Sequence, residues 1–413
     1  MKNSLAVLAG ALFVYAAAVG ARRALAESGA PAASVPCAKK ELFWVALCCL
    51  AAGAAVQALL AACALRQAPG QGLAQALEHF FYYNIDARHY IEIAQLGYLP
   101  PGTGPEEQHL MIVFFPLFPL LLRLLNPTGA MPWYFAAMFV QLPLFCWAGT
   151  AVYALVSRSY GRSAARWTLA FLLASPGAIF FFTPMTESLF LALSASFFLA
   201  LEKDRPAAAG WLGLLAALCR SPGALLAGAA AAWYILCWRR EKSAPRPAAL
   251  WPVAAPALGL GMYLLLNWRV YGNWFQFAVY QKEHWFNGWG LFTNTVRYHM
   301  GYFFTWWESG NGKGAIFISL AAVCTILIAL ALLALTAKKL QVHQLAYGLA
   351  YIAFTMGATW LLSAPRYAVV LFCLPAALAL LFNRSWARWL ALAALAAPGA
   401  AYTAQFIAHG PIY

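Results

Sequence analysis

Apolar stretches of about 20 residues with few or no charges recur from one end of this 413-residue chain to the other. That one feature decides the solvent. Hydrophobic residues make up 63% of the chain and charged residues only 10%, against roughly 25% charged in ordinary soluble domains. In hydrocarbon every backbone polar group must be satisfied internally, which leaves helices or closed barrels. The runs are continuously apolar and do not alternate with period two, so a barrel is excluded. The sequence predicts an all-α polytopic membrane protein.

The formal net charge of +14 raises nucleic acid as a partner, but the distribution argues against it. Lys and Arg punctuate the apolar runs in short clusters: Arg22 and Arg23, Lys39 and Lys40, Arg158 to Arg166, Arg239 and Arg240, Lys338 and Lys339, Arg384 and Arg388. This is the positive-inside pattern of cytoplasmic loops. Taking each cluster as cytoplasmic gives about twelve crossings, within a range of about 11 to 13: residues 4–20, 41–65, 131–157, 167–184, 186–201, 207–219, 223–238, 251–266, 315–336, 343–362, 366–382 and 389–407. The spans at 186–201 and 207–219 are short for a crossing. Residues 110–125 are apolar too, but a crossing there would put the Arg158 to Arg166 cluster outside, so this proline-containing piece is expected at the interface or re-entrant. Residues 4–20 resemble a signal-peptide core, yet Arg22 and Arg23 follow directly and favour a retained span. Residues 1–40 are thus expected to be an extra span with a basic loop, and 41–413 the working domain. Eight of the nine cysteines lie in or beside apolar runs without metal-ligand spacing and read as small hydrophobes.

The count sorts the loops into two chemical populations. Cytoplasmic loops are short and basic. Outer loops, 66–130 and 267–314 with three tight turns at Thr186 and Glu187, at Arg220 and at Arg366, hold nearly everything reactive. Only two aspartates occur, and Asp204, in the basic turn EKDRP, reads as a solvated loop charge. Asp86 stands in FFYYNIDARHYIEIAQLGY, where an amphipathic interfacial helix would place His89 and Tyr90 one turn on. By spacing alone, Asp86 is either a helix cap or a catalytic carboxylate.

Moving a sugar onto a hydroxyl needs one carboxylate to take the proton and cations to neutralise a phosphate leaving group. The outer face offers Asp86 as base with Glu187 as rival, and Arg220, Lys282, His284, Arg297 and Arg366 on the phosphate side. Each has a plainer use: arginines at helix ends snorkel to headgroups, and Glu187 caps a helix. Trp274, Trp285, Trp289, Trp306 and Trp307 are either an interfacial belt, the favoured reading, or platforms for sugar rings. No GxGxxG, P-loop or DxD occurs, which leaves nucleotide-sugar and ATP-driven chemistry unsupported. Asp86, His89 and Glu187 could hold a divalent ion; one base among many cations favours a site without metal or other cofactor.

DARHYIEIAQLGY is similar to the WDAxHFxxIAxxGY signature of PIG-V-type mannosyltransferases, the GPI mannosyltransferase II family with its prokaryotic relatives, within the C-type (GT-C) superfamily of polytopic glycosyltransferases. FFPLFPLL from Phe114, TESLF from Thr186, RSPG from Arg220, Gln281 followed by Trp285, and PRY from Pro365 resemble further pieces in the family's order. Ile85 stands where the family has tryptophan, and the N-terminal span is additional. The resemblance implies a GT-C-like bundle and an inverting transfer, commonly of mannose, from a polyprenyl- or dolichyl-phosphate sugar to a glycan, glycolipid or protein hydroxyl outside the cytoplasm. It implies Asp86 as base with His89 beside it, and Arg220 and Arg366 near the donor phosphate. The expected site is therefore Asp86 and His89 for catalysis, Arg220, Arg366, Lys282 and His284 for phosphate, and Glu187, Gln281, Tyr90 and Trp285 for substrate, with membrane lipids as surroundings and no nucleic acid partner. A lipid or lipid-linked-sugar flippase is the alternative, and a structural assembly subunit a third. Alanine-rich spans and the lack of an endoplasmic-reticulum retention signal point to a bacterial inner membrane with the site facing outward, the reticulum membrane being the alternative.

Overall fold

Alanine and leucine dominate the apolar runs, and both are strong helix formers, so in a medium that cannot solvate a backbone the runs become helices. The computed structural model describes residues 1–26, 37–83, 86–99, 110–242, 246–288 and 290–412. It is helical throughout, with no β-sheet among the described residues. In chain order the helices are α1 (Lys2–Ala26), α2 (Lys39–Gln67), α3 (Leu73–Tyr82), α4 (Ala87–Leu96), α5 (Leu117–Leu125), α6 (Trp133–Tyr160), α7 (Arg162–Ala174), α8 (Glu187–Glu202) and α9 (Pro206–Cys219). There follow α10 (Leu226–Glu241), α11 (Leu250–Tyr271), α12 (Gln276–His284), α13 (Phe292–Glu308), α14 (Gly312–Thr336), α15 (Val342–Thr355), α16 (Ala364–Val369), α17 (Cys373–Leu381) and α18 (Ser385–Ile407).

Seven of the twelve expected crossings are helices long and apolar enough to span a bilayer: α1, α2, α6, α10 with its preceding turn, α11 with its preceding turn, α14 and α18. Their outward faces carry large apolar side chains such as Val14, Phe43, Phe139, Ile328 and Leu390, an exposure that lipid tolerates and water does not. Small residues set the closest approach: a Cβ on Gly259 of α11 would come within 2.4 Å of the Leu214 carbonyl oxygen on α9.

The other five are shorter than a full crossing, as expected for α8 and α9, while α7 and α15 also fall short of their expected bounds. α7, α8, α9 and α15 have 13, 16, 14 and 14 residues, and the stretch expected as a crossing at 366–382 is broken between α16 and α17. At 1.5 Å per residue these helices reach roughly 20–24 Å, short of a hydrocarbon core of about 30 Å. At one end of the bundle the C-terminus of α8 and the N-terminus of α15 are fixed by a polar network. There, Glu202 accepts from Ser159 Oγ (3.0 Å) and Gln344 Nε2 (2.8 Å) and meets His343 Nε2 (3.2 Å).

The basic clusters gather at that same end. Arg23 Nη1 donates to the carbonyls of Ala337 and Leu340, Arg158 Nη2 to that of Glu202, Arg239 Nη2 to that of Leu25 and Lys339 Nζ to that of Leu380. Arg388 Nη1 reaches Ser163 Oγ at 3.0 Å, and Arg162 pairs with Glu41 at 3.2 Å. Asp204 is exposed and lies 4.0 Å from Arg246, a solvated loop charge as the sequence implied.

At the opposite end the first long loop folds into short amphipathic helices. α3 buries Ala76, Leu77, Phe80 and Phe81; α4 buries Ala87, Tyr90, Ile91, Ile93 and Ala94. α5, nine residues long, buries Phe118, Pro119 and Leu122, so residues 110–125 make no crossing. Cysteines placed at Gln71 and Ser309 should therefore react with an impermeant maleimide from one side of the membrane, and cysteines at Lys242 and Lys338 only from the other. Labelling of all four from one side would refute this threading.

Candidate functional site

The short helices stop where charged side chains meet. Glu187 opens α8, Arg220 follows the last residue of α9, Arg366 lies in the six-residue α16, and Asp86 precedes α4. Four segments distant in sequence thereby form one chain of ion pairs. Glu187 is fully buried, and its Oε1 accepts from both Arg220 Nη1 and Arg366 Nε at 2.5 Å. Arg366 Nη1 in turn donates to Asp86 Oδ2, and Arg220 Nη1 also reaches Thr186 Oγ1 at 3.1 Å.

These contacts settle the plainer alternatives. Asp86 sits at the cap position of α4 but makes no side-chain cap, its carboxylate being turned to Arg366. Arg220 and Arg366 do not snorkel: they are 8% and 3% exposed and lie over the rings of Tyr367 (5.2 Å) and Phe180 (5.4 Å). Glu187 likewise makes no cap. Among the described residues, Nε and Nη2 of Arg220 and Nη2 of Arg366 donate no hydrogen bond, and Glu187 Oε2 accepts none. Unused guanidinium N–H groups on two adjacent arginines are a donor set suited to phosphate.

Two glycines make the assembly possible. A Cβ on Gly223, in the turn after Arg220, would lie 2.2 Å from the backbone of Ala216, and one on Gly177 would lie 2.4 Å from the carbonyl oxygen of Pro365, next to Arg366. Gln141 Nε2 donates to the Met185 carbonyl (2.7 Å) and Tyr351 OH to the Tyr367 carbonyl (2.8 Å), fixing the turns before Glu187 and after Arg366. Gly177, Phe180, Gln141 and Tyr351 were not singled out from the sequence. They sit inside apolar runs, and only the proline and glycine breaks nearby signalled that those runs end early.

The remaining expected residues divide. Tyr90 is buried against Phe114 and Phe118, with the four charged groups in its electrostatic surroundings; burial pushes its phenol above the ordinary range, Arg366 opposing and Asp86 reinforcing the shift. His89 does not share a bond with Asp86. Its Nδ1 meets Glu92 at 3.3 Å, Nε2 lies 3.4 Å from Arg88 Nε, and the ring packs on Phe114. Gln281, Lys282, His284 and Trp285 lie in or just after α12 and make no contact with the four-charge chain among the described residues. There the His284 ring stacks on Tyr280 at 4.1 Å, and Trp285 meets the same ring edge-on. Arg297 reaches Asn294 Oδ1 (3.3 Å) in a surface groove with Lys2, Tyr298 and Tyr302. Trp274 stacks on Trp268 and Trp307 on Phe303, each partly exposed, while Ile85 and Trp289 lie outside the described residues.

The second outer loop acts on the site indirectly. Gly290 N donates to the Gly357 carbonyl (2.7 Å), Thr359 N to that of Gly288 (3.0 Å), and Leu361 N to His299 Nε2 (3.1 Å). This pairing holds the non-helical stretch between α15 and α16 that leads to Arg366.

Fold and surface together define an integral, multi-pass helical membrane protein. No family model, no curated protein and no solved structure matches the chain.

Glu187→Gln should cost about 3–5 kcal/mol of stability, since it removes the carboxylate charge shared by two buried guanidiniums. Denaturant titration of the detergent-solubilised protein measures this, and a change below about 1 kcal/mol would refute the shared-clamp role. Burial also pushes His299 from 6.5 down to about 4, so the folded state holds it neutral. The unfolded chain then binds the extra proton first as pH falls, and stability should decline from about pH 6.5 towards pH 4. Melting curves of His299→Gln, whose carbonyl can still accept from Leu361, should decline less over that window.

Proposed function

We propose that the protein is a glycosyltransferase of the lipid-phosphate-dependent kind, a hexosyltransferase and by its motifs a mannosyltransferase. It moves a sugar from a polyprenyl- or dolichyl-phosphate donor to an acceptor hydroxyl at the end of the bundle away from the basic clusters. The observation that carries this reading is the placing of a partly exposed carboxylate, Asp86, beside two buried arginines whose spare N–H groups are free. The acceptor oxygen attacks the anomeric carbon from the face opposite the phosphate, the bond from that carbon to the phosphate oxygen breaks, and the configuration inverts. Asp86 takes the acceptor proton, and the guanidiniums of Arg220 and Arg366 take up the charge growing on the phosphate.

Glu187 holds the two arginines together and is too enclosed to serve as the base. Asp86 keeps 29% of its side chain exposed and can meet an acceptor. With the basic end cytoplasmic by the positive-inside rule, the site faces outward, which suits a bacterial inner membrane. The reading gains from the resemblance of DARHYIEIAQLGY, TESLF, RSPG and PRY to the PIG-V-type, GT-C pattern, because Asp86, Glu187, Arg220 and Arg366 come one from each of those pieces.

The test is turnover. Purified protein in liposomes, given polyprenyl-phosphate mannose and a total membrane glycan extract, should release polyprenyl phosphate only when both are present. Asp86→Asn should lower that rate by about 10²–10⁴-fold, the span of general-base catalysis, while its melting temperature stays near that of the parent. A fully active Asp86→Asn removes the base assignment. No turnover with any polyprenyl-phosphate hexose, in protein that melts cooperatively, removes the transferase reading.

A further inference from the structure

Arg366 is divided between two unequal carboxylates. Its Nε is held by Glu187, which is fully buried and also gripped by Arg220. Its Nη1 is held by Asp86, which stands at the start of an interfacial helix with its side chain 29% exposed. Of the two partners Asp86 gives way more easily, because water can solvate it on leaving and nothing comparable can solvate Glu187.

The carboxylate oxygen that accepts from Arg366 Nη1 is taken up by that hydrogen bond and is not open to an acceptor hydroxyl. The contact that places Asp86 therefore also occupies it. The four groups sum to zero charge, two carboxylates against two guanidiniums, so a phosphate anion arriving at the free N–H groups adds a third negative charge competing for two positive ones.

We propose that the Asp86–Arg366 pair is a donor-operated latch: the phosphate of the lipid-linked sugar displaces Asp86 from Arg366 and so frees the base only when a donor is in place. The inference rests on the transferase reading and adds an order of events to it. During transfer the acceptor O–H bond breaks and its proton passes to Asp86. The acceptor oxygen bonds the anomeric carbon, and the electron pair of the broken carbon–oxygen bond stays on the polyprenyl phosphate. Protonated Asp86 is neutral and cannot reclaim Arg366. Once it passes its proton to water it competes again, which helps expel the product lipid.

The test is binding of geranylgeranyl phosphate in detergent micelles, with uncharged geranylgeraniol as control. If the carboxylate competes with phosphate, Asp86→Asn should bind the phosphate about tenfold more tightly than the parent, although it no longer transfers sugar. The gain should vanish when Arg366→Gln is added, and the alcohol should bind all forms alike. Equal or weaker binding by Asp86→Asn overturns the latch and leaves the transferase reading standing. Failure of both parent and variant to bind the phosphate at all overturns the donor site itself, and the latch with it. Asp86→Ser, checked by its melting curve, replaces the Asn variant if that does not fold.

Discussion

Two arginines inside a membrane protein cannot stand alone, because a guanidinium taken out of water loses several kcal/mol of hydration that only fixed counter-charges restore. Here that restoration falls to one oxygen of Glu187, which receives Arg220 from the end of α9 and Arg366 from α16, and for Arg366 also to Asp86. The geometry of the bundle follows from it. α8 must begin, α9 must end and the stretch between α15 and α17 must break at one level, so helices that would otherwise cross the bilayer are cut short there. A buried ion pair is weak evidence of stability against an apolar alternative, but it specifies register: only one vertical setting of these helices lets three charged side chains meet.

Much of this was legible. Charge-free runs bounded by Lys and Arg identified the seven long helices, and the clusters that bound them do lie at one end, joined by hydrogen bonds such as Arg23 to Ala337 and Arg239 to Leu25. The same count put Asp86, Glu187, Arg220 and Arg366 at the other end, and the structure brings those four into contact. Their legibility has a physical cause. Ionisable residues are so costly in apolar surroundings that the few at span ends stand out against a background of alanine and leucine.

What was not legible is equally specific. Hydropathy cannot say where an apolar helix stops when its next turn is also apolar, so 343–362 read as one crossing although α15 ends at Thr355. The family resemblance implied His89 beside Asp86, but the ring finds Glu92 on its own helix at 3.3 Å, a nearer partner that the pattern did not rank. Lys282, His284, Gln281 and Trp285 shared the right end of the bundle with the arginines. Sharing an end is a one-dimensional statement, and nothing in α12 fixes lateral position. What the second outer loop contributes instead is backbone pairing of Gly288 and Gly290 with residues 357–359, invisible to any reading of side-chain types, together with the His299 ring that accepts from Leu361 N.

The two ends of the short helices are built on different terms, and the difference bears on how the site works. At the basic end Glu202 is held by Ser159, Gln344 and His343, with the Arg158 guanidinium 4.0 Å away, so that partners from α6 and α15 meet a carboxylate on α8. Such a network loses its partners if any helix slides, and so holds α6, α8 and α15 in register. At the opposite end the carboxylates leave guanidinium N–H groups unused, Glu187 Oε2 has no described donor, and one carboxylate belongs to an interfacial helix and not to the bundle. An arrangement of that kind is pinned by the network below and left short of one anion above. The scaffold therefore resists rearrangement except along the single contact between α16 and the start of α4, which is the contact a phosphate would have to contest.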